Sequence, residues 1–318
     1  MSNYWGADFF SFFAILFGRI GQALTGGTLS LAADEVQLAV LSLIALSCGL
    51  IGPFLVLKRM TMFANSLSHT ILLGIAAAFL IGGALWGAQI SDLSTLFLGA
   101  LLAALLTAFL TEGLTRLFRL QEDASIGLVF TALFALGILL VTIYTRNVHL
   151  SVEAVMGNAD ALQASDLFLS GIIALGNGVI LLLLYPKFQI ACFDQSLAKT
   201  LGIRCGVYHF LLLFMASMTI IGAFRAVGVL VVLAYLVGPY LTARLFSNRL
   251  SRLLFWTPVT GILASCAAVA LSRHILSVYG MPLSTGGLAV AVMGVGYFGG
   301  VFVKLWREER FSKRKSPV

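Results

Sequence analysis

The sequence predicts an all-α protein, a polytopic transmembrane helical bundle of about nine spans. Three observations lead there. Of 318 residues, 60% are hydrophobic and only 10% charged, with a mean hydropathy of +1.01. A soluble domain carries about a quarter charged residues, so a water-soluble enzyme and a disordered chain are both excluded. Apolar runs of the length that crosses a bilayer, about 20 residues, recur along the chain. The loops between those runs alternate in basic charge.

The runs fall at roughly 37–57, 68–87, 93–113, 126–144, 167–185, 207–224, 227–246, 255–272 and 284–305. The sixth and seventh are nearly continuous, and Arg225 between them marks the expected turn. Residues 5–24 form a weaker segment. Phe9, Phe10, Phe12, Phe13, Leu16 and Phe17 are apolar, but Arg19 and Gln22 follow, which fits an amphipathic helix in the membrane interface better than a span. The N-terminus lacks the basic start of a cleavable signal peptide. The chain thus divides into residues 1–36, an extracytoplasmic or interfacial segment; 37–305, the membrane domain; and 306–318, a basic tail.

Loop charge orients the bundle. Lys58, Arg59, Arg116, Arg119, Lys187, Lys199, Arg204, Arg244, Arg249 and Arg252 fall after odd-numbered spans, and six more lie at 304–315. These are sixteen of the 20 basic residues. The opposite side holds Arg146, Arg225 and Arg273. The positive-inside rule places the C-terminus in the cytoplasm and, with nine spans, the N-terminus outside. The net charge of +7 reports this orientation and not a nucleic-acid partner.

Motifs of common chemistries are missing. There is no G-x-x-x-x-G-K-[ST] loop, no H-E-x-x-H and no G-x-S-x-G, so the chain is expected not to be an enzyme and not to hydrolyse ATP itself. Cys48, Cys192, Cys205 and Cys266 form no C-x-x-C pair and read as small hydrophobes. No span carries a run of charges like a voltage sensor. Gly83 with Gly87, and Gly296 with Gly300, have the four-residue spacing of close helix packing or a dimer seam.

Four stretches carry candidate function. In 52–78, Asn65 and His69 share a helix face at the start of an apolar run. The imidazole is either a ligand for a divalent transition metal or a histidine satisfied by the backbone, Ser66 or Ser68. In 186–206, Asp194 is a helix N-cap and Gly202 a stop. The short helix between them would carry Leu197, Ala198 and Leu201 on one face, to dock a protein or rest on lipid headgroups. In 121–127, Glu122 and Asp123 sit where a helix dipole favours acids. In the outer loop 145–166, His149, Glu153, Asp160 and Asp166 either collect cations or belong to a solvated loop or short helix that meets a partner. His209 and His274 stand alone and are given no role.

Three blocks resemble a known family, the membrane-spanning permease subunits of metal-type ABC uptake transporters. FLVLKRM followed by NSLSHTILLG is similar to its basic turn and Ser-His signature. EDASIGLVFTALFALGILL is similar to its fourth-span block. FDQSLAKTLGI, then AVGVLVVLAYLVGPYLTARL, is similar to its coupling loop and the helix beyond. The resemblance covers roughly residues 38–305. It implies an alternating-access importer of zinc, manganese or iron(II) in a bacterial cytoplasmic (inner) membrane. It implies that His69 lies on the translocation path with Asn65 beside it, at a position where many members carry Asp. The 194–202 helix would seat in a separate ATPase subunit, and Asp123 would belong to a family motif. The implied partners are the ABC ATPase, which uses the ATP, an extracytoplasmic metal-binding protein, and a second permease, either identical or a sister subunit. No cofactor is bound permanently; the divalent metal ion is cargo. The competing expectation is a gradient-driven secondary transporter, which normally needs carboxylates centred in its spans. A membrane assembly protein without transport is the remaining class.

Overall fold

A computed structural model describes residues 6, 8–24, 32–86, 93–144, 157 and 159–314. Among them are eleven α-helices and no strand. In chain order they are α1 (Phe9–Leu24), α2 (Ala33–Leu57), α3 (Thr61–Trp86), α4 (Leu93–Leu117) and α5 (Glu122–Tyr144). A short 3₁₀ turn at Ala159–Ala161 precedes α6 (Ala164–Phe193), α7 (Gln195–Thr200), α8 (Cys205–Val227) and α9 (Val229–Phe246). The chain closes with α10 (Leu250–Tyr279) and α11 (Thr285–Arg314).

Each expected span is a helix. Eight are long and apolar enough to cross a membrane. The ninth, α9, has 18 residues and reaches about 27 Å at 1.5 Å per residue, just short of a bilayer core. The expected turn at Arg225 is corrected. Helix α8 runs through Arg225 to Val227, and the break falls on Gly228, with φ +78°. Arginine is a good helix former, whereas that backbone conformation suits glycine. A side chain on Gly157 would collide with the Gly228 backbone, so two glycines meet at the break. Helix α11 also continues past residue 305 to Arg314, so the first part of the basic tail is helical.

Two helix ends are closed by arginines in the left-handed region, Arg59 at φ +61° and Arg119 at φ +53°. Beyond α2, Arg59 N–H donates to the Val56 carbonyl and Met60 N–H to that of Leu55. This six-to-one closure usually takes glycine.

The chain forms two compact units. The first comprises Met1–Pro53, Ala159–Phe168 and Ala234–Val318. In it α1 packs on α10, and α10 on α11. Phe12 of α1 is fully buried. Helix α2 approaches closely: a side chain on Gly49 would strike Pro258 of α10, and one on Gly52 the Leu236 carbonyl of α9. Tyr235 and Ser265 share a buried 2.7 Å hydrogen bond. Arg19 pairs with Glu35, and Arg273 with the fully buried Asp34.

The second unit comprises Phe54–Asn158 and Leu169–Leu233. Helix α3 packs against α4, α5 and α8, and α4 also contacts α5 and α8. The α3–α4 contact is backbone on backbone. A methyl group on Gly74 would collide with the Gly99 carbonyl and the Ala103 side chain, and one on Gly99 with Ala78 and the Gly74 carbonyl. One turn from this contact, Thr107 donates to Thr70 across the seam at 3.0 Å. Thr70, Gly74 and Ala78 thus face Gly99, Ala103 and Thr107, small residues at four-residue spacing. The pairs first expected to pack closely differ. Gly83 has no described side-chain surroundings, Gly87 lies outside the described residues, Gly296 faces open space, and Gly300 abuts Leu245 and Phe246.

Large apolar side chains point outward, among them Leu102, Phe109, Leu182, Leu183, Phe298 and Phe302. Water does not tolerate such a surface and lipid does.

Candidate functional site

His69 lies in the third turn of α3, where Thr61–Trp86 gives a helix free of internal proline. Its imidazole is partly buried against two rings of α5. The ring centroids of Phe130 and Phe134 stand 5.4 Å and 5.3 Å away, and the two phenyl rings stack on each other at 5.7 Å. Phe130 and Phe134 are four residues apart, so successive turns of α5 present them on one face. They hold the ring by packing. The two serines considered as partners lie elsewhere: Ser68 donates to the Ala64 carbonyl at 3.0 Å, and Ser66 is buried. Asn65 is exposed one turn away, so α3 presents a carboxamide and an imidazole in line. Among the described residues no three His, Cys, Asp or Glu side chains converge as a metal centre.

Toward the start of α3 and α5 the unit opens into a cavity of about 350 Å³, whose lining includes Lys58, Glu112, Arg116, Glu122, Cys205 and His209. Glu112 of α4 pairs with Arg116, one turn on. Its other carboxylate oxygen lies 3.3 Å from Nε2 of His209 on α8. A side chain on Gly206 would collide with the Arg116 guanidinium, so the glycine leaves room for that cation. Sequence reasoning left His209 alone and did not single out Glu112. The two are far apart in the chain, and no motif spacing links them. At the neighbouring helix start, Asp123 is exposed and Glu122 partly buried. Both lie in the first turn of α5, where the dipole favours acids.

The loop helix α7 forms as its termini dictate. The Asp194 carboxylate accepts from the backbone N–H groups of Ser196 and Leu197, each at 2.9 Å. At the other end Gly202 adopts φ +71°. Gly202 N–H donates to the Lys199 carbonyl and Ile203 N–H to that of Ala198, which completes the glycine-terminated cap. The expected apolar face needs one correction. Leu197 and Leu201 are exposed, 47% and 57%, but Ala198 is fully buried. Helix α7 packs against α8, and the small Ala198 is buried while the leucines stay outside. Phe193, the last residue of α6, is exposed as well.

In the loop 145–166, the two described acids are held by neighbouring groups. Asp160 accepts from Gln37 Nε2 at 2.8 Å and from the Thr285 hydroxyl, and Gln37 also donates to the Ala159 carbonyl. Asp166 is buried and accepts from the Gln163 N–H at 2.9 Å, at the start of α6. His149 and Glu153 lie outside the described residues. His274, expected to stand alone, has Nδ1 3.8 Å from the Asp8 carboxylate.

Together these features define a multi-pass, all-helical membrane protein whose polar groups cluster at a clamped histidine, a charged cavity and a short capped loop helix. The profile of the ABC 3 transport family matches residues 34–304. A "Probable metal transport system membrane protein" of Chlamydia muridarum is 40% identical over 302 residues, covering 94% of this chain and 93% of that protein. The "Manganese transport system membrane protein MntD" of Bacillus subtilis is 36% identical over 268 residues, covering 80% and 86%. Among solved structures, PsaBC from Streptococcus pneumoniae in complex with Fab is similar with a TM-score of 0.69. It covers 85% of this chain and 91% of that one at 23% identity, a likeness of fold. The chain belongs to the ABC 3 transport family, and its part there is that of a membrane-spanning translocation component, not an enzyme.

Proposed function

We propose that this chain is the permease through which an ABC importer carries a divalent transition metal ion across the bacterial cytoplasmic membrane. Manganese is the favoured cargo, because the Bacillus subtilis relative bears that name; zinc and iron(II) are the alternatives. The observation that carries the reading is His69. Its imidazole is clamped by two phenyl rings within a chain whose whole membrane domain matches the family. A neutral imidazole coordinates any of the three ions. Asn65 supplies a carbonyl oxygen one turn away and no charge, so the pair binds an ion weakly enough to release it, as conduction requires.

Energy comes from ATP hydrolysed by a separate ATPase subunit, which seats on the 194–202 helix. Leu197 and Leu201 are exposed on a loop that charge alternation assigns to the cytoplasm. Movement of that helix switches the path between outward and inward openings. An extracytoplasmic metal-binding protein delivers the ion, and a second permease, identical or a sister, completes the path. The C-terminus and the basic residues of 306–318 lie in the cytoplasm, and the N-terminus outside. Asp123 retains a helix-dipole role.

A pull-down of the tagged protein from its membrane tests the assembly. Recovery of an ATPase and a metal-binding protein is expected. Leu197→Asp with Leu201→Asp should release the ATPase while the permease stays in the membrane. Retained ATPase on that double variant would reject α7 as the seat. Recovery of the permease alone, from membranes in which other complexes survive, would favour a gradient-driven transporter.

A further inference from the structure

The charged cavity at the basic-turn end of the second unit has a geometry that helix packing alone does not require. Glu112 Oε2 and His209 Nε2 face each other at 3.3 Å on two different helices. Adjacent donors around one divalent ion, each about 2.1 Å from it, stand about 3.0–3.4 Å apart. Both side chains are only partly buried, 23% and 20% exposed, and they line a cavity of about 350 Å³. One water needs roughly 10–15 Å³ by such a measure, so the space admits an ion that keeps several of its waters. Glu122 adds a second carboxylate to the wall, and Thr115 a hydroxyl.

The cavity also lies in line with His69. Phe63 of α3 and Ile126 of α5 are in its wall. Six residues beyond Phe63 is His69, about 9 Å further along the axis. Four residues beyond Ile126 is Phe130, about 6 Å further, one of the two rings that clamp His69. Helices α3 and α5 therefore carry the imidazole site and its two rings and, nearer the basic turns, line the cavity into which α4 and α8 bring Glu112 and His209.

We infer that Glu112 and His209 form a second, weak divalent-cation site, one station nearer the cytoplasm than His69. The inference rests on the proposed import function for the identity of the ion and the direction of travel. Lys58 and Arg116 give the station its character. Arg116 already pairs with Glu112, and Lys58 stands in the same wall as Glu122. An arriving ion displaces a resident cation and is repelled by it. The ion keeps most of its water and leaves readily, as an exit station requires.

The test is manganese(II) binding to the full-length permease in its ATPase complex, reconstituted in nanodiscs and followed by electron paramagnetic resonance with Mn²⁺ alone as probe. His69→Ala should remove one class of bound ion and leave a weaker one that shows nitrogen coupling from an imidazole. Adding His209→Gln should abolish that coupling. Loss of an outer-sphere partner of a metal costs about tenfold or more in affinity, so removal of a direct ligand by His209→Gln or Glu112→Gln should weaken the residual class by at least that much. His274→Gln in the same background should leave the coupling intact. Nitrogen coupling that persists after His209→Gln, or a His69→Ala complex that binds no Mn²⁺, overturns the second site. Uptake of Mn²⁺, Zn²⁺ and Fe²⁺ by cells bearing the unmutated complex separates the two claims. Uptake present without the residual site defeats this inference alone. Uptake of none of the three with the residual site intact defeats the import reading and leaves a cation site.

Discussion

Two charged clusters in this molecule use the same residue types to opposite ends. In the first unit Asp34 is fully buried against Arg273, and Asp160 is tied to Gln37 and Thr285. These acids are closed in by fixed partners. In the second unit Glu112 is held by Arg116 and His209 at the wall of an open cavity, with Glu122 and Lys58 beside them. Those groups can exchange partners without leaving a charge in a dry interior. Of the 13 acidic residues in this membrane protein, these four thus divide between locked struts and exchangeable sites. Burial and the number of fixed partners decide which is which, because an ion stripped of its partner inside a protein is costly.

The largest effect expected from breaking this contrast is at Asp34. Asp34→Ala leaves the partly exposed Arg273 guanidinium without its partner, and the loss should be about 1.5–3 kcal/mol, read as a drop in the thermal unfolding temperature of the detergent-solubilised protein. Glu112→Gln should change that temperature far less, since its partners reach the cavity. Equal drops for the two would erase the distinction between strut and exchangeable site. A second, smaller effect belongs to the α3–α4 seam, which separates neither cluster but sets the frame of the second unit. Gly74→Ala puts a methyl group into the Gly99 carbonyl, and overpacking of this kind costs about 1–3 kcal/mol. An unfolding temperature unchanged by Gly74→Ala would show that the helices part there at little expense. The smallest effect is at Arg59. Its left-handed backbone costs a non-glycine residue about 1–2 kcal/mol, so Arg59→Gly should stabilise the protein slightly. Destabilisation instead would mean that the arginine side chain holds the turn through contacts that outweigh the strain.

Much of the fold was legible because a span is a local feature. Twenty apolar residues announce a helix wherever they stand, and all nine runs became helices. Helix α7 was equally legible, since Asp194 and Gly202 act on backbone groups within a few residues of themselves. The turn at Gly228 was misplaced by three residues because Arg225 has the stronger charge signal and glycine the stronger backbone one. The partners of isolated polar residues were not legible. Gln37 meets the Ala159 carbonyl across 122 positions of chain, and Glu112 meets His209 four α-helices later. The small-residue seam was hidden for a related reason. Its glycines, Gly74 and Gly99, lie on different helices, and neither belongs to a G-x-x-x-G. His69 was visible as a candidate, but the rings of Phe130 and Phe134 that hold it are supplied by another helix.

The most direct test of the central claim is manganese uptake into cells that depend on this transporter, comparing the native chain with His69→Ala while the ATPase is shown to co-purify with both. The account predicts that uptake is lost and the complex remains assembled, because the ion then lacks the imidazole on its path. Uptake by the His69→Ala protein at the native rate, in an intact complex, would contradict it.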